Sequence, residues 1–384
     1  MMTPPKEKVL VAMSGGINSS TTAVLLKTQG YEVIGVFFQL RGPTTEKFNS
    51  RCCSTADQFG KGRLQQICKD IGIPLHVLQA EALFEDKVVD YTVHECLQNH
   101  IPNPCASCNS EVKFKLLIDK ADALGCQWIA TGHYAQISRD SGTGTAHLLK
   151  AADLTRDETY FLFALTQAVL QRLLLPLGSL PGRMVDRIAD KFNFKSELKT
   201  GSKTDAKTDT QKICFIEEPG YTEFMESRVP PSMRLPGMVR NLESMVVGEH
   251  TGLFQYRVGQ PSIAANPEQD RTPLFIVGFD HTSQSLIVGS ADSLIQKELK
   301  AVRVSWVRQV DGLHGFRCIA KLGPVHEGYP CRVTCFEGHR VHVEFDEPLR
   351  AISVGKVIVF YLEDEILGGG YVEIFGTKES IGSE

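Results

Sequence analysis

The sequence predicts an α/β protein in which an N-terminal doubly wound parallel sheet is followed by a small central unit and a C-terminal β-barrel. Three observations carry this reading. Over the first half, short β-branched runs alternate with helical stretches, the pattern of a parallel sheet covered by helices. Between Pro219 and Asp292 turn signals crowd together. Beyond Ser293 apolar and polar residues alternate strictly, as in Arg332-Val333-Thr334-Cys335-Phe336 and Val341-His342-Val343-Glu344-Phe345, and this is the period of half-buried strands.

Taken in order, Val9 to Met13 reads as a first strand, Ser19 to Thr28 as a helix and Val33 to Leu40 as a second strand. A loop covers Arg41 to Ser54, then come a helix near Gly62 to Ile71, the strand Pro74 to Leu78 and a helix from about Leu83 to Leu97. A further helix near Glu111 to Leu124 leads into the strand Trp128 to Thr131. The polar stretch Lys195 to Lys212 lacks apolar periodicity and reads as a mobile connector. The expected units are 1–218, 219–292 and 293–384, the last a small barrel ending on Gly368-Gly369-Gly370.

With 384 residues the chain can bury more than one core. The N-terminal apolar run is too short for a secretion signal or a membrane span, so no membrane partner is expected and the location is read as cytoplasmic. Eleven cysteines without a secretory signal point to thiols used as catalysts, ligands or core residues, and their odd number argues against a closed disulfide framework. A net charge of −4 offers no global attraction for a polyanion, so any nucleic-acid reader here must use a local basic surface.

Chemistry is expected in the loops that follow strands. Directly after the first strand stands Ser14-Gly15-Gly16-Ile17-Asn18-Ser19-Ser20. Glycines let successive N–H groups turn toward an anion, and the helix that starts within the segment adds its positive dipole end. It is neither a Walker loop nor a dinucleotide fingerprint, because the required Lys and the third Gly are missing. A plain glycine turn remains open for this motif by itself. The second constellation is Asn103-Pro104-Cys105-Ala106-Ser107-Cys108-Asn109. A C-x-x-C at a loop-to-helix junction suits a thiolate nucleophile or a metal ligand, but a single pair does not make a zinc ribbon. The third is Cys214 between Ile213 and Phe215, which out of context would be a buried core thiol.

Together with Ala130-Thr131-Gly132-His133-Tyr134, these segments resemble the tRNA-specific 2-thiouridylases, enzymes built on the PP-loop ATP pyrophosphatase fold (adenine nucleotide alpha-hydrolase-like). The likeness extends along nearly the whole chain, through Cys52-Cys53-Ser54, Tyr160-Phe161-Leu162, Pro176-Leu177-Gly178, Gly248-Glu249-His250-Thr251-Gly252, Val258-Gly259-Gln260, Phe345-Asp346-Glu347-Pro348, Val359-Phe360-Tyr361 and Leu367-Gly368-Gly369-Gly370.

The resemblance implies ATP-dependent 2-thiolation of the wobble uridine of tRNA, through a uridine adenylated at O2 and a cysteine persulfide. ATP, with Mg²⁺, is implied at Ala12, Met13, Ser14, Gly15, Gly16, Ile17, Asn18, Ser19, Phe38 and Gly132. Cys214 matches the persulfide carrier and Cys108 its partner thiol. Asn103, Pro104, Cys105, His133, Arg156, Asp157, Glu158 and Lys356 match positions that meet the tRNA or its target base. The implied partners are tRNA and a sulfur-relay protein or cysteine desulfurase. Cys105 adds a third thiol, so a [4Fe–4S] cluster held by Cys105, Cys108 and Cys214 is a second route for sulfur. Asn18 stands where the family has Asp, Glu158-Thr159 where it has Gln-Ser, Pro261-Ser262-Ile263 where it has Arg-Lys-Gly, and Lys356 where it has Gln. These departures keep a second reading open, a divergent paralogue that binds nucleotide without thiolating.

Overall fold

The computed structural model describes residues 6–40, 58–194, 215–216, 221–231, 234–262, 273–308, 310, 315–336 and 339–373. The expected loop 41–54, the stretch 195–212 and Cys214 lie outside the described residues.

The N-terminal part begins with strand β1 (Lys8–Ala12), helix α1 (Ile17–Thr28), strand β2 (Glu32–Gln39), helix α2 (Gln58–Ile71) and strand β3 (Leu75–Gln79). A helical run over Glu81–Leu97 and a second over Pro104–Ala123 then lead to β4 (Trp128–Ala130). A hairpin, β5 (Gln136–Arg139) and β6 (Ala146–Leu149), precedes β7 (Leu173–Leu174) and the helix Gly182–Lys191. The first sheet has the order β3-β2-β1-β4-β7, and every pairing in it is parallel. Its strands are apolar on both faces because helices cover both. Val9, Val11, Val33 and Phe37 pack with Ala23, Leu26 and Leu64 on one side. Leu10, Ile34, Val36 and Phe38 pack with Phe84, Phe114 and Leu117 on the other.

Both helical runs contain a wide turn with π-type pairing, Glu85–Asp90 inside the helix expected from about Leu83 to Leu97, and Cys108–Lys113 overlapping the start of the helix expected near Glu111. Each absorbs an extra residue, a feature that often marks functional positions. Ser107 ties the two runs together by donating its Oγ–H to the Lys87 carbonyl at 2.7 Å.

The central unit is a four-stranded mixed sheet of order β10-β11-β8-β9, made of β8 (Gly237–Asn241), β9 (Val246–His250), β10 (Phe275–Asp280) and β11 (Ser285–Gly289). The C-terminal strands are β12 (Ile295–Trp306), β13 (Phe316–Lys321), β14 (Tyr329–Phe336), β15 (Arg340–Arg350), β16 (Val357–Leu362) and β17 (Glu365–Glu373). They run β12-β15-β14-β13-β16-β17, and β12 also pairs with β17. Six antiparallel strands thus close on themselves into a barrel. Leu299, Ala301, Cys331, Val333, Val343 and Phe360 fill the interior.

One connection departs from the expected separation of units. The β5–β6 hairpin, in the N-terminal part of the chain, extends the barrel sheet through β6 beside β17, with Glu365 opposite Leu149. The core behind the parallel sheet accordingly includes Val307, Val357, Val359, Tyr361 and Ile366 from the barrel. Among the described residues no helix is long and apolar enough to cross a membrane.

Candidate active site at the switch point of the parallel sheet

Strand order reverses between β1 and β4, so the loops leaving their carboxyl ends diverge to opposite faces and leave a crevice. The β1 loop carries Ser14 to Ser19. Gly15 has a φ of +79°, in the region that only glycine adopts without strain, and it starts the turn. Gly16 is the N-cap of α1, and among the described residues no side chain caps this helix. Its first-turn amides therefore remain available to an anion. The serines brace the loop from inside. Ser19 Oγ accepts from the Ser14 N–H at 3.2 Å and lies 3.3 Å from Ser14 Oγ, while Ser20 Oγ donates to the Gly16 carbonyl at 2.9 Å. Ser14 is exposed and Gly15 to Asn18 are half-buried, so the loop can be reached from solvent. Ala12 and Met13 lead into it, and Phe38 is buried at the end of the neighbouring strand β2.

The β4 loop lies directly against this cradle. A Cβ on Gly132 would sit 2.9 Å from both the Asn18 carbonyl carbon and the Ser19 nitrogen, so only glycine lets the two loops approach so closely. His133 follows, with Nδ1 2.8 Å from Thr131 Oγ1 and its ring stacked on Phe114 at a centroid distance of 6.0 Å. Part of the residue's surface is open, yet the ring is packed among protein atoms. Burial, helped by the Lys113 ammonium, pushes its pKa down to about 3, so the imidazole is neutral at working pH.

Tyr134 is buried and its hydroxyl bridges two groups. It accepts from Arg156 at 2.9 Å and donates to Asn18 Oδ1 at 3.5 Å. Arg156 also pairs with Asp186 at 3.2 Å on the helix Gly182–Lys191. Arg156 thus stands beside the Ser14–Ser19 loop, one hydroxyl away from Asn18. Asp157 accepts from the Ala151 N–H at 2.9 Å and from Thr159 Oγ1 at 2.6 Å, and Glu158 accepts from the Tyr134 N–H at 2.9 Å. Both carboxylates therefore organise the loop internally. Burial raises the Glu158 pKa, and the Tyr134 N–H and Lys113 partly oppose that shift.

The thiol segment forms the third wall. Asn103 caps the short helix Pro104–Ser107, its Oδ1 accepting from the Ala106 N–H at 3.1 Å, and Pro104 occupies the first turn, where no N–H is needed. Cys105 is half-buried, while Cys108 is 4% exposed. Their spacing of three residues along a helical run places them on neighbouring turns of one side. Asn109 donates to the Phe161 carbonyl at 3.1 Å, fastening the turn to the loop that holds Glu158. Phe215, the residue after Cys214, is fully buried and meets Phe84 edge-on at 5.8 Å. The barrel reaches this wall through Val354, whose carbonyl accepts from the Ile101 N–H at 2.9 Å. That contact brings the Gly355-Lys356 turn beside the Asn103 segment.

Among the described residues, Gly132 abuts the Ser14–Ser19 loop, Arg156 reaches that loop through the Tyr134 hydroxyl, Glu158 holds the Tyr134 amide, and the turn that begins with Cys108 leads to Phe114, which stacks on His133. Tyr134 and Asp186 were not singled out from sequence. Tyr134 closes the Ala-Thr-Gly-His-Tyr motif, which was the available signal, whereas Asp186 lies on an ordinary amphipathic helix and had none. Among the described residues, no group of three or more His, Cys, Asp or Glu side chains converges as a metal site.

Residues 7–218 match the family model described as the tRNA methyl transferase HUP domain, and residues 296–372 match that of the aminomethyltransferase beta-barrel domain. The chain is 37% identical over 381 residues to the tRNA-specific 2-thiouridylase MnmA of Geobacter metallireducens, covering 97% of this chain and 98% of that protein. It is 38% identical over 382 residues to the protein of the same name from Streptococcus mutans, covering 98% of each. Among solved structures, a 4-thiouridine synthetase in complex with RNA and ATP aligns over 49% of this chain and 41% of its own, at 13% identity and a TM-score of 0.31.

Proposed function

Since the chain belongs to the tRNA-specific 2-thiouridylase family, we propose that it is an ATP-dependent tRNA-uridine 2-sulfurtransferase that activates the wobble uridine as an O2-adenylate and replaces that oxygen with persulfide sulfur. The observation that carries this reading is the abutment of Gly132 on Asn18 and Ser19. It joins a phosphate cradle to the wall that bears His133 and, through the Phe114 stack, to the turn that begins with Cys108.

The chemistry divides into two steps. Uridine O2 attacks the α-phosphorus of ATP, pyrophosphate departs with the bonding pair, and the N3 proton is lost to solvent, leaving an O2-adenylate whose uracil ring is uncharged. The amides of the Ser14–Ser19 loop hold the phosphates, and Mg²⁺ would share their charge. In the second step the Cys108 thiolate attacks the bridging sulfur of a Cys214 persulfide. A Cys108–Cys214 disulfide forms and hydrosulfide is released to attack C2, expelling AMP. A thiol reductant then restores both cysteines. A sulfur-relay protein or cysteine desulfurase supplies the persulfide sulfur.

On this reading Asn103, Pro104, Cys105, His133 and Lys356 line the approach of the target nucleotide. Arg156 offers charge to the tRNA or to ATP, while Asp157 and Glu158 hold its loop in shape. Cys105 and Cys108 also suit two ligands of a [4Fe–4S] cluster, with Cys214 as the third, and such a cluster would supply an iron that binds sulfide. Chain purified without oxygen that contains no iron and still thiolates tRNA supports the persulfide route.

The test is expression in bacteria that lack their own 2-thiouridylase, with 2-thiouridine-type nucleosides quantified in digested tRNA by mass spectrometry. Restored thiolation is expected. Its absence, with ATP still bound, would transfer the assignment to a nucleotide-binding paralogue, the reading that Asn18 favours.

A further inference from the structure

The seam between the barrel and the β5–β6 hairpin holds a cation that the two-step scheme does not use. Lys321 ends β13, and in the pairing of β13 with β16 it stands opposite Val359, while Ile319 stands opposite Tyr361. Lys321 is therefore diagonal to Tyr361 on one face of the sheet, and its Nζ lies over the Tyr361 ring, 5.0 Å from the centroid. Gly328, at a φ of +103°, lets the turn between β13 and β14 pack on the lysine stem, since a Cβ there would lie 3.2 Å from Lys321 Cγ. Ring and turn thus fix the stem. Among the described residues the Lys321 ammonium makes no hydrogen bond and no ion pair. The residue is only half-buried, so its three N–H donors can be reached from solvent.

A second ammonium stands over the same ring. Lys150 Nζ is 5.4 Å from the Tyr361 centroid, donates to the Glu363 carbonyl at 2.7 Å and pairs with the exposed Asp364 at 3.3 Å. Burial lowers the Lys321 pKa, Asp157 opposes that shift, the Lys150 charge adds to it and Glu327 opposes it. Neither carboxylate bonds to Lys321. Asp157 accepts from the Ala151 N–H and from Thr159 Oγ1, and Glu327 is exposed on the turn. An anion beside the two ammoniums would offset their repulsion.

The surroundings favour RNA as the source of that anion. The Tyr361 hydroxyl lies 3.3 Å from Thr159 Oγ1, in the loop that carries Arg156. On the turn between β13 and β14, His326 is exposed and stacked on Tyr329 at a centroid distance of 4.2 Å. Flat rings beside cations suit a strand whose bases stack and whose phosphates are charged better than they suit an acidic peptide.

We propose that the Lys321 ammonium, with Lys150 beside it, binds a backbone phosphate of the tRNA where the strand crosses the seam between the barrel and the Arg156 loop. The contact carries no sequence information and fixes the register of the bound strand. It is made alike before and during the reaction, so it governs KM for tRNA rather than kcat. This role rests on the reading that the chain acts on tRNA.

The test uses the full chain and end-labelled tRNA from a bacterial strain without 2-thiouridylase, comparing Lys321→Gln and Lys321→Arg with the native protein by fluorescence anisotropy at salt from about 50 to 200 mM. Lys321→Gln should weaken tRNA binding about tenfold near 0.15 M salt and flatten the slope of log K against log salt by about 0.7–0.9, the loss of one phosphate contact. Lys321→Arg should keep the native slope, and the ATP dissociation constant should stay near native in both. In tRNA-dependent pyrophosphate release, KM for tRNA should rise in Lys321→Gln while kcat stays within about twofold. A native salt slope in Lys321→Gln would overturn the phosphate contact, as would a fall in kcat with KM unchanged or a parallel loss of ATP binding, the marks of a packing role. Native tRNA binding in Lys321→Gln with impaired sulfur delivery from a protein donor would give the surface to that protein instead. If the native chain binds no tRNA, the tRNA reading falls and Lys321 with it, whereas a native chain that binds tRNA without thiolating it leaves the salt-slope comparison decisive.

Discussion

Gly132 and Asn18 are 114 positions apart in the sequence and touch so closely that a methyl group on Gly132 would lie 2.9 Å from the Asn18 carbonyl carbon. Both contacts are backbone, so neither can swing aside. Gly132→Ala should push α1 away from β4 and distort the phosphate loop. Overpacking of this kind costs about 1–3 kcal/mol. A rise of at least about tenfold in the ATP dissociation constant, beyond the loss in thermal stability, is expected by calorimetry. Native ATP affinity in Gly132→Ala would mean that the loop does not hold the phosphates.

The Tyr134 hydroxyl links Arg156 to Asn18. Asn18→Asp would place a carboxylate next to that hydroxyl and near the Arg156 charge, a favourable position, and should raise the rate of pyrophosphate release. In a Tyr134→Phe background the gain should shrink, because the bridge is gone. A double-mutant cycle on these rates should show a coupling of about 0.5–2 kcal/mol, whereas strict additivity would refute the link.

Cys108→Ser and Cys214→Ser should each abolish thiolation while leaving tRNA-dependent pyrophosphate release within about threefold of native, because exchange at sulfur follows adenylation. Pyrophosphate assays run beside mass spectrometry of the tRNA separate the two steps. Retained thiolation in either serine variant would remove that thiol from the sulfur route.

His133 gives the protein an acid-sensitive contact. Its folded pKa is lowered to about 3, so the stability it contributes is complete above about pH 6.5 and is lost as pH falls toward 3. After allowance for solvent at its open edge, the loss at pH 4.5 should be about 1–2 kcal/mol. His133→Asn should flatten that part of the profile, read from urea midpoints at pH 7.5 and 4.5. An unchanged slope would show that the ring charges freely in the folded protein.

The parallel sheet and the barrel share one core, in which Leu10, Phe114 and Leu148 belong to the same cluster as Val357, Val359 and Tyr361. A chain ending at residue 292 would expose that apolar surface and leave β6 without β17 beside it. It should bind a hydrophobic dye and unfold without a cooperative transition. A cooperatively folding truncation would show that the N-terminal part has a sufficient core of its own.

Much of this architecture is legible in short windows. The strands and helices from Lys8 to Ala130 follow largely from runs of apolar residues and their period, and the tight turn into α1 follows from Ser14-Gly15-Gly16, because glycine conformation and helix starts depend on adjacent residues. The alternation in β14 and β15 announces the barrel in the same way. The wide turn at Cys108–Lys113 escapes such reading, since its residues carry an ordinary helical pattern and only bonds such as Asn109 to Phe161 favour the extra residue. The sequence by itself determined most element types, the order of strands and helices along the parallel sheet, and the family. Tertiary structure alone decided that β5–β6 extends the barrel, that Glu158 binds the Tyr134 amide and that Lys113 stands by His133. Those pairings join surfaces from distant parts of the chain, and their free energy comes from shape and burial that no local period encodes.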